Sequence, residues 1–137
     1  MSDEKPYTRV VITADGGSAF EDAALVLTER RVSSGVPPMS TAGMSAASGV
    51  TYLRSADFDS EPHPAPREQW VVMVRGVIEV EVSDGSRRRF GPGDLVHVSD
   101  TTGSGHITTA AGEPPFEALF VPGAGPVERC HRRVIIE

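Results

Sequence analysis

The stretch EPHPAPREQWVVMVRGVIEVEVSDG, residues 61–85, decides the fold. Its Pro-rich start is loop-like, and QWVVMVRG (69–76) is a strand apolar on both faces. Such a strand lines an interior with one face and packs on further structure with the other. VIEVEVSDG (77–85) alternates instead, with Ile78, Val80 and Val82 facing in and Glu79 and Glu81 facing out. Asp84-Gly85 signals a hairpin, and RRRF (87–90) is the return strand.

The same grammar runs outward from there. VTYLRSADF (50–58), DLVHVS (94–99), HITTAA (106–111) and FEALFVP (116–122) are short strands set apart by Gly and Pro turns, and RRVIIE (132–137) has the pattern of a terminal strand. This spacing predicts an all-β sandwich or barrel over residues 50–137. Residues 1–6 are expected to be disordered, and 7–49 to form an N-terminal strand and arm. YTRVVITA (7–14) is the strand, turned by Asp15-Gly16-Gly17, an ordinary turn in this reading. FEDAALVLTERR (20–31) is open between helix and strand, because Phe20, Ala23, Ala24 and Leu27 make a helical stripe while ALVLT also suits a strand. Residues 32–49, rich in Gly, Pro and small side chains, read as a long irregular connection: a lid, a swapped arm or extra strands.

Composition narrows the function classes. The chain has 137 residues, enough for one domain with a real core, and a net charge of −6. That acidity argues against nucleic-acid partners, and the run Arg87-Arg88-Arg89 reads as a solvated strand face. Cys130 stands alone, so no intrachain disulfide is expected; it reads as a bystander, and the chain as suited to a reducing cytoplasm. No apolar run approaches a membrane span. A phosphate loop, a dinucleotide fingerprint and a nucleophile elbow are all missing from the sequence.

FGPGDLVHVSDTTGSGH (90–106), preceded by HPAPREQ (63–69) and by FED (20–22), resembles the cupin superfamily, specifically its small single-domain bacterial members. The likeness covers about residues 7–122. It implies a jelly-roll barrel, the double-stranded β-helix, and a pocket for a small molecule inside it. By the resemblance, His63 matches the first histidine of the usual metal motif and Gln69 stands in the glutamate's place. Ala65 stands where a second histidine is usual, and His106 matches the histidine of the second motif.

Two chemistries are open to that set. A single divalent metal (Fe, Mn, Ni or Zn) on His63, Gln69 and His106 would make a non-haem oxygenase-type site, although no anionic ligand offsets its charge. Without a metal, His63 and His106 are proton carriers near neutrality, and Gln69 and Arg67 position the substrate. Isomerisation, cyclisation or dehydration of a small, largely apolar metabolite, as in polyketide-like metabolism, follows by analogy with small cupins. A third possibility is a cupin that only retains a ligand. Strand alternation turns Val71 and Met73 inward with Gln69, as pocket wall or core, and Trp70, Val72 and Val74 outward. Thr108 follows His106 inward. His97 is either a third polar cavity group, the favoured reading, or a satisfied core residue, and Tyr52 is a phenol at the site or core. The apolar face of Trp70 predicts a homodimer.

Overall fold

The computed structural model describes residues 3–126, and no helix occurs among the described residues. β1 (Asp3–Ile12) and β2 (Ser18–Arg30) make a long antiparallel hairpin. After them come β3 (Met39–Thr41), β4 (Thr51–Ser55) and β5 (Gln69–Arg75). The chain continues through β6 (Ile78–Glu81), β7 (Arg87–Phe90), β8 (Leu95–Val98), β9 (Ile107–Ala110) and β10 (Phe116–Pro122). Seven strands form one sheet in the order β3-β2-β1-β8-β5-β10-β4, and β7-β6-β9 form a second. Every pairing is antiparallel except β1 with β8. The fold is therefore all-β in two sheets; among the described residues no strand pairing closes them into one barrel.

The two sheets face each other across an apolar core. Val10, Met73, Val96, Val98 and Ala118 come from the large sheet, and Ile78, Val80 and Phe90 from the small one. Burying each large aliphatic or aromatic side chain contributes about 1.5–3 kcal/mol, the main term holding the sheets together. Alternation on β5 matches the sequence reading. Met73 lies in the core with Val71 packed against it, while Trp70 is fully buried on the opposite face. Gln69, two residues before Val71 on the same strand, shares the inner face.

The structure corrects one expectation for the N-terminal segment and decides what the sequence left open. Residues 3–6, expected to be disordered, are paired strand, with Asp3 opposite Leu27 and Pro6 opposite Ala24. Residues 20–31 are strand rather than helix up to Arg30; Ala23 and Leu25 are the buried alternates and Val26 is exposed, so period two prevails. The hairpin is also no appendage, because β1 lies between β2 and β8 in the middle of the large sheet.

The connection 32–49 contributes one short strand, β3, and then crosses the outer face of the large sheet. Ser45 Oγ accepts hydrogen bonds from Trp70 Nε1 at 2.8 Å and from the Gly125 amide at 3.0 Å. The Trp70 surface expected to meet a second copy is thus covered by the chain's own arm. The arginine run divides. Arg87 and Arg89 ladder with Glu79 and Glu81 on the solvated face, but Arg88 turns under the sheet to Asp22 at 2.6 Å and Thr8 at 3.1 Å. No helix among the described residues is long and apolar enough to cross a membrane. Cys130 and the terminal RRVIIE strand lie outside the described residues.

Candidate functional site

Two histidines meet where the loop before β5 runs beside the start of β9. The backbones of His63 and His106 exchange both hydrogen bonds at 3.0 Å, and their rings stand 5.5 Å apart. Directly opposed residues of an antiparallel bridge share a face. On β9 that is the face of Thr108, which pairs with the buried Val80, so both rings project from the inner side of the small sheet. Gln69 faces the same interior from the large sheet, and its side chain is buried. The structure brings His63 and His106 together and turns Gln69 toward the same interior.

The loop carrying His106 is fixed by the N-terminal hairpin. Ser104 donates its amide to Gly16 O at 2.9 Å, and the buried Ser18 hydroxyl donates to Gly105 O at 2.7 Å. Residues 15–18, read from sequence as an ordinary turn, are therefore a support for the site. On the other side, Asp59 bonds Thr108 through both backbone and side chain, at 3.1 and 2.8 Å.

The two imidazoles have different surroundings. His63 is half exposed at the rim, with Nδ1 2.9 Å from Pro64 O and Nε2 2.9 Å from Asp59 Oδ2. Both partners accept only, so satisfying both requires protons on both ring nitrogens. The Pro64 carbonyl, assisted by the Asp59 carboxylate and opposed by partial burial, raises the His63 pKa above the ordinary imidazole value. His106 is buried, and its Nδ1 lies 2.6 Å from Oδ2 of Asp100, a carboxylate with no solvent exposure. No hydrogen bond reaches its Nε2 among the described residues.

These hydrogen bonds bear on metal binding. A ligating imidazole needs a lone pair. His63 has none in this arrangement, and the residue at the usual second-histidine position, Ala65, is packed into the apolar core. Among the described residues no group of three or more His, Cys, Asp or Glu side chains is gathered to hold a metal. One free imidazole nitrogen and an amide are a poor donor set for a divalent cation. The residues present do not fit the metal site that the cupin resemblance implies.

Of the other expected site residues, Val71 and Met73 face the interior, as wall and core respectively. Arg67 is exposed on the loop before β5. His97 is not a cavity group. It pairs with Trp70 across β8 and β5, stacks edge-on against that ring at 5.0 Å, and donates from Nε2 to Gly123 O at 2.8 Å. Val96 and Val98 hold the inner face, which puts the residue between them outside. Tyr52 is also on the outer face, opposite Leu119, more than half exposed and hydrogen-bonded to Glu117. Leu53 supplies the inward contact there. Asp100 was missing from the sequence reading; an acidic residue opening a glycine loop six positions before the loop histidine was the available signal.

The two altered histidines give a pH prediction. Burial lowers the His97 pKa, partly offset by the Gly123 carbonyl, and its Nδ1 is buried without a partner. Site-resolved NMR titration should put His63 above, and His97 below, the ordinary value of about 6.5. The unfolded chain protonates His97 before the folded one does. Its contribution to stability is complete above about pH 6.5 and declines as pH falls toward the folded value. His63 has the opposite sign, its contribution complete below about pH 6.5 and lost as pH rises through its raised folded value. Coincident titration of the two would contradict these environments.

Compared with known proteins, the chain matches no protein-family model and no curated sequence.

Proposed function

We propose that this chain is a small cupin-type enzyme that moves protons on a small, largely apolar carbonyl metabolite, giving isomerisation, cyclisation or dehydration. The cupin assignment is supported by the two-sheet all-β fold and by the Pro92-Gly93-Asp94 turn, where the Asp94 carboxylate holds the Gly91 amide at 2.8 Å. It is also supported by Gly76, which ends β5 with φ +81° where an added Cβ would lie 3.0 Å from Phe116 Cα. The observation that carries the chemistry is the pairing of two unlike imidazoles 5.5 Å apart. One has an unpartnered Nε2, and the other sits between two acceptors as a proton donor. A ring with a bare nitrogen beside a ring held between two acceptors offers a proton acceptor and a proton donor to one substrate.

In the proposed cycle, Nε2 of His106 takes a proton from the carbon next to a substrate carbonyl. The electrons of that C–H bond move to the carbonyl oxygen, which receives a proton from His63. With a β,γ-unsaturated ketone the enol is a conjugated dienol, so His106 returns its proton to the γ-carbon as the C=C bond moves to the α,β position, and the enol O–H restores the proton to His63 as the carbonyl re-forms. The net change is an isomerised substrate and an unchanged protein. Gln69 orients the oxygen by its amide, and Val71, Phe120 and Leu53 are partly buried apolar side chains packed against the core.

The test is hydrogen–deuterium exchange into a panel of neutral cyclic and aryl ketones in D2O, followed by mass spectrometry. Wild-type protein should exchange at least one of them faster than buffer, and His106→Asn should fall to the buffer rate. Exchange that survives in His106→Asn, or tight binding of a ketone with no exchange at all, overturns the catalytic reading, the latter in favour of a protein that only retains its ligand.

A further inference from the structure

We propose that Asp100 is the positioning residue of this site, holding His106 in the tautomer with the proton on Nδ1 and the lone pair of Nε2 turned to the substrate. The inference rests on the acid–base reading above and adds a residue to it. Asp100 lies two residues beyond the end of β8, and the intervening Ser99 is pinned by its amide and hydroxyl on Val10 O, at 2.9 and 3.2 Å. The Asp100 carbonyl accepts the Ala65 amide at 2.9 Å, two residues beyond His63. One residue therefore fixes the ring of His106 and the backbone that carries His63.

Burial separates this role from simple packing. The Asp100 side chain has no solvent exposure, and its Oδ1 finds no donor among the described residues. A carboxylate in that condition is costly, and a neutral group of the same shape would serve better if only a hydrogen bond were needed. What a carboxylate supplies is an acceptor that cannot donate. It admits only N–H at Nδ1, which leaves Nε2 bare, and it offsets the charge His106 acquires on taking a proton. An asparagine can offer N–H instead, and so permits the tautomer in which Nε2 carries the proton.

The experiment is long-range 1H–15N correlation of the histidine rings in 15N-labelled protein, at a pH well above the ordinary imidazole value. In the wild type, His106 should show a protonated Nδ1 and a bare Nε2. A protonated Nε2 there overturns the proposal without any variant. In Asp100→Asn the His106 pattern should change to a mixture of tautomers or to Nε2–H, while the His97 pattern, on the outer face of the large sheet, stays as in the wild type and reports an intact fold. An unchanged His106 pattern in a folded Asp100→Asn also overturns it. These readouts need no substrate, so failure of the ketone exchange and failure of the tautomer assignment are separate results.

Discussion

Trp70→Ala should destabilise the protein by about 3–5 kcal/mol, the range for removing a large aromatic from a site that cannot collapse. A loss of that size is a large part of the total stability of an ordinary domain. Trp70 is fully buried yet lies outside the core between the sheets. Its ring touches Tyr7 of β1 at 4.8 Å and His97 of β8 at 5.0 Å, and its indole N–H holds Ser45 of the arm. Truncation therefore opens a cavity between three segments distant in sequence and removes the donor that fixes the arm. Urea denaturation should show a much lower midpoint with a similar slope. Trp70→Phe should recover much of the packing without the Ser45 bond. A midpoint for Trp70→Ala within error of the wild type would mean that the arm does not seal this face.

Gly105→Ala should be nearly as damaging, and its effect should centre on the site. Gly105 has φ +75°, a conformation costing a side chain about 1–3 kcal/mol when imposed. An added Cβ would lie 2.0 Å from the His63 carbonyl carbon, 2.1 Å from its oxygen and 2.3 Å from Pro64 N. All three are backbone atoms, so no rotamer change relieves the clash, and displacing the chain costs about 1–3 kcal/mol more. The loop bearing His63 must move away from His106. NMR titration would then find the His63 pKa back toward the ordinary imidazole value, because its contacts with Pro64 and Asp59 hold it up. Gly43→Ala is the control, since nothing lies within 4 Å of its added Cβ. Equal stability of the two variants would contradict the close approach at Gly105.

The sequence carried the hairpin of β6 and β7 and both faces of β5, because a period of two with a Gly-marked turn has few alternatives. It also brought His63 and His106 together, through a resemblance rather than through spacing alone. It did not separate strand from helix in 20–31, where alanines and leucines satisfy both periods and the pairing with β1 decides. His97 was assigned to the cavity as a polar residue in an apolar strand; the valines flanking it were the better guide to which way it faces. Asp100 stayed hidden because its importance comes from burial and from a contact across a six-residue loop, neither of which leaves a periodic trace. The arm could not be placed for a related reason: beyond the short pairing of β3 with β2, it is held by one serine hydroxyl that receives the Trp70 indole N–H and the Gly125 amide.

The parallel seam between β1 and β8 has a consequence for how the chain is made. Thr8 pairs with Val96, a partner 88 positions later. The hairpin is complete at Arg30, so at a synthesis rate of about 5–20 residues per second it waits roughly 3–13 s before Val96 exists. A lone two-stranded hairpin is marginal in water, and its open edges invite pairing with other chains. The same hairpin later supports the His106 loop through Gly16 and Ser18. The newborn chain thus passes through an interval in which this hairpin keeps open edges, and the His106 loop is set only when the hairpin has docked.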